Sequence, residues 1–208
     1  MEIFTTGFFP ILISMALYGT LHSLLASLTV KDKAERLFGK YFYQRWYRLL
    51  YNIIVGMAIL PVLWLAATSP DRILWTLPSP WSIVFRAIQA LALIGLGFAL
   101  LQTGSMIFLG LQQLVTGEAP PTGQNLVTGG TYRWVRHPIY TFSLAILWFS
   151  PSFTVNSMAF ALGATAYVLV GVIFEERKLV TEYGQIYLEY KKKTPALLPG
   201  LNFFSHNS

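Results

Sequence analysis

An all-α integral membrane fold of about five transmembrane helices, with a polar cytoplasmic loop and a C-terminal interfacial helix, is what this sequence predicts. Three observations carry that expectation. Only 12% of the 208 residues are charged, against 54% hydrophobic. The apolar residues come in runs of about 20 rather than in amphipathic stripes, the length a helix needs to cross roughly 30 Å of hydrocarbon. The basic residues are concentrated in a few segments between those runs, as expected where loops alternate between two sides of a membrane.

In order, the first span covers residues 8–28, the second 49–67 and the third 83–101. The apolar block 139–174 is too long for one crossing. Its "SPS" at 150–152 supplies a turn, so it divides into a short span and a full one. The chain opens "MEIF", with no basic stretch before an apolar run longer than a signal-peptide core, so the first segment is read as a retained helix. Lys and Arg number six in residues 31–48, two in 69–86, two in 133–136 and five after Phe174. With five spans, the first, third and last groups share a side and hold 13 of the 15. This predicts a cytoplasmic C-terminus and an outside N-terminus. The formal charge of +6 is then a topology signal and a grip on anionic lipid, not a nucleic-acid footprint. The absence of cysteine excludes disulfides and thiolate metal sites, and no metal is expected.

Two cytoplasmic segments collect the polar chemistry. The first, residues 110–136, is rich in Gly, Pro and Thr and reads as an irregular loop, mostly a solvated connector over 116–124. It feeds into "GGTYRWVRHPIY", where Pro138 suits the first position of a membrane helix and His137 becomes its N-cap. Backbone N–H groups and the positive end of the helix dipole then face the membrane surface, where an anion is favoured, with Arg133 and Arg136 nearby. The plain alternative is a basic membrane flank with a capping histidine.

The second segment begins at Glu175 and Glu176, expected at the end of an apolar helix, near the depth where headgroups start, where carboxylates oppose the helix dipole. Adjacent helical residues point about 100° apart, so one carboxylate faces solvent while the other turns toward the bundle. Ionisable groups at this depth are functional candidates; pairing with Arg177 and Lys178 is the ordinary explanation. Leu179, Tyr183, Tyr187 and Tyr190 then recur at helical spacing before Lys191, Lys192 and Lys193, which predicts an interfacial helix with its aromatic face toward headgroups. In the first span, His22 stands out in "TLHSLLAS" as either a hydrogen-bonded core residue or part of a substrate channel.

The C-terminal half, residues 127–201, resembles the isoprenylcysteine carboxyl methyltransferase and phospholipid methyltransferase families of membrane enzymes. The ordered signature is "GGTYRWVRHPIY", then "EERKL", then "YGQIYLEYKKKTPALLP". In the N-terminal half, "LHSLLAS", "YRLLYN" and "FLGLQQ" are similar to segments of the bacterial thiol S-methyltransferase and NnrU-like branch.

The resemblance implies that the loop binds S-adenosylmethionine. His137 and Glu175 would contact the cofactor's amino-acid end, with Arg136, Tyr140 and Glu176 in support and Tyr132, Leu126 and Gly130 bordering the pocket. Arg136, His137 and Glu175 are the candidate catalytic set, and His22 and Gln112 the candidate substrate channel. Residues 110–208 would form the cofactor side and residues 1–109 the acceptor side of a single membrane domain.

The implied reaction is methyl transfer to a lipophilic acceptor that partitions into the membrane, an isoprenylcysteine-like carboxylate first, with a small thiol such as methanethiol or a phospholipid amine as alternatives. A thiol or amine must lose a proton and a carboxylate need not. His22 is the one evident base within a span, which favours an acceptor that is already anionic or easily ionised. A transporter or scaffold would leave the Arg-His-Pro step and the carboxylate pair unexplained.

Overall fold

The computed structural model describes residues 5–117 and 126–200. Among the described residues, four helices are long and apolar enough to cross a membrane: Phe8–Ala26, Lys40–Thr68, Trp81–Gln102 and Val155–Tyr183. Pro138–Trp148, at the position of the predicted short fourth span, has 11 residues, about 17 Å of rise. The described residues fold into two compact units, one of 5–72 with 104–117 and 154–163, the other of 73–103, 126–153 and 164–200.

The first unit contains α1 (Phe8–Ala26), α2 (Leu28–Phe38), α3 (Lys40–Ala58) and α4 (Leu60–Thr68). Ser27 ends α1 and starts α2, its hydroxyl accepting the Val30 N–H as an N-cap should. Pro61 breaks the apolar run between α3 and α4, since it has no N–H to give the helix ladder. Two short helices, α6 (Ser105–Leu109) and α7 (Leu111–Thr116), meet at Gly110. There φ is +84°, and a Cβ would lie 2.7 Å from the Leu49 backbone nitrogen, so only glycine fits. Residues 111–116, predicted as loop, are thus helical and pack on α3. Much of the predicted connector 116–124 lies outside the described residues.

The second unit starts with the strand β1 (Ile73–Thr76) and α5 (Trp81–Gln102), and continues after the 3-10 turn Gly130–Arg133 with α8 (Pro138–Trp148), most of the strand β2 (Ser152–Thr154) and, from residue 164, α9 (Val155–Tyr183), whose first turns belong to the first unit. It ends in α10 (Gln185–Lys193) and a bent tail without regular secondary structure. The pairing of β1 with β2 was not anticipated from sequence; the Leu77 N–H donates to the Pro151 carbonyl, and Trp75 and Phe153 stack at 4.7 Å.

Helix α8 runs antiparallel to both α5 and α9. Gln89 donates to the Ile146 carbonyl at 2.7 Å, while Gly95 lets the Phe142 ring approach to where a Cβ would meet it at 2.6 Å. On its other side Tyr140 reaches Glu175 and Trp148 reaches Thr165. The core here is Val168, Val172, Ala196 and Leu197, backed by Tyr140, Leu144 and Tyr167. Bringing the tail under α8 and α9 is what builds the site.

Candidate functional site

Arg136 and His137 enter the unit as a short extended rung. Their N–H groups donate to the carbonyls of Pro195 (2.8 Å) and Ala196 (3.0 Å), so the C-terminal tail holds the Arg-His-Pro step from beneath. Helix α8 then starts at Pro138 with His137 as N-cap, as the sequence predicts. The His137 side chain makes no cap hydrogen bond. It turns instead toward α9, with Nδ1 3.5 Å from Glu175 Oε2 and Nε2 3.4 Å from Glu176 Oε1. Nε2 is buried and has no hydrogen-bond partner at that separation and alignment. Burial lowers the affinity of this imidazole for its proton, but the two facing carboxylates outweigh burial and leave its pKa raised.

The two carboxylates separate as helical geometry requires. Glu176 turns inward, its side chain 7% exposed, and accepts from Arg136 Nε at 2.8 Å and from the Arg136 Nη2 and Lys191 ammonium groups, the last at 2.9 Å. Arg136, 1% exposed at the side chain, also donates to the carbonyls of Lys191 and Thr194. Arg136 and Glu176 are therefore occupied in binding α9, α10 and the tail to one another. Glu175, by contrast, is 44% exposed at its side chain, and its Oε2 accepts from the Tyr140 hydroxyl at 2.8 Å. The Tyr140 ring stacks on the His137 imidazole at 5.6 Å.

The turn that precedes this step borders the same cluster. Gly130 has φ +60°, and a Cβ there would fall 1.5 Å from the Gln102 amide nitrogen. Gln102 Oε1 accepts the Thr131 N–H at 3.1 Å and its hydroxyl as well. Tyr132 lends its carbonyl to the Tyr190 hydroxyl. Burial first, and the charge of Glu175 second, hold the Tyr132 hydroxyl above its ordinary pKa.

Tyr132, His137, Tyr140 and Glu175 thus gather around one partly open carboxylate, with Arg136 and Glu176 behind them. Leu126 lies half-buried just ahead of the turn and Gly130 is exposed. His22 and Gln112 belong to the first unit. His22 Nε2 pairs with the Tyr51 hydroxyl at 2.6 Å. Gln112 is exposed while its neighbour Gln113 is buried, with Nε2 directed at the Ile107 carbonyl.

Two expectations need correction. Glu175 and Glu176 do not end their helix, which continues two turns to Tyr183; the helix dipole opposes them less than at a terminus. The tyrosines after Gly184 do not face headgroups. Tyr187 is 1% exposed and Tyr190 half-buried, because Gly184, at φ +56°, turns α10 back onto the unit and Tyr190 finds an internal acceptor there.

Gln102, Lys191 and the tail carbonyls were not anticipated as site residues. An amide at the end of an apolar helix was the available signal for Gln102.

Comparison with known proteins finds similarity to membrane methyltransferases. A family model described as phospholipid methyltransferase matches residues 85–186. The chain is 32% identical over 159 residues to a methanethiol S-methyltransferase of Mycobacterium tuberculosis, covering 73% of this chain and 63% of that protein. It is 30% identical over 151 residues to the methanethiol S-methyltransferase of a Pseudomonas species, covering 70% and 56%. Human protein-S-isoprenylcysteine O-methyltransferase is 30% identical over 146 residues, 65% of this chain and 48% of that one. The chain thus spans less than two thirds of the length of these relatives. No solved structure matches it.

Proposed function

Because this chain is related to the isoprenylcysteine carboxyl and phospholipid methyltransferase superfamily, we propose that it transfers a methyl group from S-adenosylmethionine to a small or lipophilic thiol at the membrane. The observation that carries this reading is the exposed Glu175 carboxylate, held by Tyr140 at the start of α8 beside a protonatable His137, in a chain similar to methanethiol S-methyltransferases.

The residues fit the cofactor's amino-acid end. Glu175 is accessible and negative, suited to an ammonium or sulfonium. The N-terminus of α8, which no side chain caps, suits a carboxylate. His137, its pKa raised, offers N–H donors to the same carboxylate. When bound, S-adenosylmethionine supplies a methyl group activated by the adjacent sulfonium. Arg136, Glu176 and Lys191 position the step from beneath; they hold the tail and α9 at the spacing that His137 and Glu175 require.

Preorganised positioning and exclusion of water supply most of the acceleration in a displacement of this kind. On the acceptor side we assign His22, paired with Tyr51, and Gln112. A thiol must give up a proton before it attacks. O-methylation of an isoprenylcysteine carboxylate is the second reading, supported by the similarity to the human enzyme of that name.

The test is incubation of the purified protein with methyl-labelled cofactor and parallel acceptors: methanethiol, a longer alkyl thiol, a prenylated cysteine and a phospholipid amine. Label in the thioether products is expected. Label in the methyl ester alone would select the second reading, and no transfer to any acceptor by a folded, cofactor-binding protein would overturn the enzymatic one.

A further inference from the structure

A cavity of about 540 Å³ lies along the seam of α8 and α9 in the second unit. Leu144, Ala145 and Trp148 form one wall and Leu169 the other, with Leu197 and Leu198 of the tail as floor. Its polar atoms are already engaged: Thr141 Oγ1 donates to the Leu197 carbonyl at 2.7 Å, and Thr165 Oγ1 accepts from Trp148 Nε1 at 3.0 Å. The volume lies within the roughly 300–1,000 Å³ of small-molecule sites. A ligand there receives no hydrogen bond, so the occupant is a hydrocarbon.

The depth of the cavity identifies the hydrocarbon further. The floor is level with the start of α8, where Tyr140 meets Glu175, and the far end closes at the bond between Trp148 and Thr165. The lining on α8 runs from Thr141 to Trp148, about 10 Å of rise. That fits within one leaflet, half of a bilayer's roughly 30 Å hydrocarbon layer. Beyond the floor the tail leads back to the exposed Lys192 and Lys193 at the end of α10. Lys193 and Leu198 are five positions apart, at most about 17 Å of extended chain. A hydrocarbon groove within the depth of one leaflet, with two cations within reach of its headgroup end, matches one molecule.

We propose that this groove binds one acyl chain of an anionic phospholipid from the leaflet on the Glu175 side, its headgroup at Lys192 and Lys193. The inference goes beyond the methyl-transfer reading and does not depend on it. It carries a consequence for the site nonetheless: Ala196, which holds the His137 N–H, and Leu197 both line the groove, so a bound chain braces the tail beneath the Arg-His-Pro step.

The test uses phosphatidylglycerol with brominated acyl chains, added to the detergent-purified full chain at amounts far below the micellar detergent. Saturable quenching of tryptophan fluorescence is expected. Phosphatidylcholine should require more lipid for the same effect. Trp148→Phe should remove most of the saturable component, and Ala145→Phe, which fills the groove, should abolish it. Lys192→Glu combined with Lys193→Glu should weaken binding roughly tenfold or more, since each surface cation contributes to anionic-lipid attraction.

Circular dichroism checks that each variant is folded, and Ala145→Leu is the milder substitute if the phenylalanine is not accommodated. Undiminished quenching in a folded groove-filled variant would overturn the proposal, as would equal affinity for the two lipids. Displacement of the lipid by the methyl acceptor would make the groove an acceptor site instead, and a dimer mass that the groove-filling change abolishes would make it a contact between copies.

Discussion

His137 shows how one residue can satisfy two descriptions, only one of which concerns function. It occupies the N-cap position, but its ring lies between Glu175 and Glu176 and caps nothing. If capping were its role, His137→Asn would be silent, since Asn is a better cap. The expected outcome is instead a folded protein whose affinity for S-adenosylmethionine, by titration calorimetry, falls about tenfold to hundredfold. That corresponds to the loss of one charge-assisted hydrogen bond of roughly 1.5–3 kcal/mol. Glu175→Gln, which keeps shape and removes charge, should lose cofactor affinity and methyl transfer together; transfer lost at full affinity would remove Glu175 from the binding role.

A pH dependence follows from the same ring. Its folded pKa is raised, so the stabilisation from its pairing is fully present below the ordinary imidazole range and is lost as pH rises through the raised value. The thermal midpoint of the cofactor-free protein should therefore fall across that window. The His137→Asn profile should be flatter, and identical profiles would show that the pairing contributes nothing.

Among the elements, α9, α10 and the tail are tied by one buried cluster, and its parts are unequal. Arg136→Met alone leaves Glu176 buried with only Lys191 and the His137 ring, and Glu176→Gln alone leaves the guanidinium underpaired. Each should cost roughly 3–5 kcal/mol, the usual result of orphaning a buried charge, while Arg136→Met with Glu176→Leu should recover much of that loss in denaturant unfolding. Additive losses in the double variant would mean that the two residues act separately.

The turn ahead of α8 depends on a backbone feature. Gly130→Ala should cost about 1–2 kcal/mol from its left-handed conformation, before the Gln102 amide is displaced, and it should weaken cofactor binding by misplacing Tyr132. The Arg-His-Pro step and the carboxylate pair were legible as motifs because Pro, His and adjacent Glu residues are rare beside apolar helices. Which glutamate would face outward was not legible, because it depends on the rotation of α9 against α8.

Across the molecule, four helices can cross a membrane by length and composition, and the predicted fifth crossing rests on the 11 residues of α8. The strand β1, between α4 and α5, pairs with β2, between α8 and α9. Five crossings are therefore expected, with α8 and the extended residues after it making the fourth. Reporters fused after Ala67 and after Ser208 should then lie on opposite sides, the latter in the cytoplasm with 13 of the 15 basic residues. Reporters on the same side would mean that α8 does not contribute a crossing.

By itself the sequence determined the membrane class, the approximate spans, the N-cap of α8 and the motifs that meet at the candidate site. Each depends on composition, local periodicity or a short motif. Helix length against bilayer thickness is a one-dimensional property, and so is the preference of proline for a first turn. Tertiary structure alone decided that Arg136 and Glu176 hold the frame while Glu175 and Tyr140 face outward, that Gln102 and Gly130 fit only each other, and that the tail lies beneath His137. These depend on contacts between residues 28 to 60 positions apart, made by helix rotation and chain reversal that no local pattern encodes.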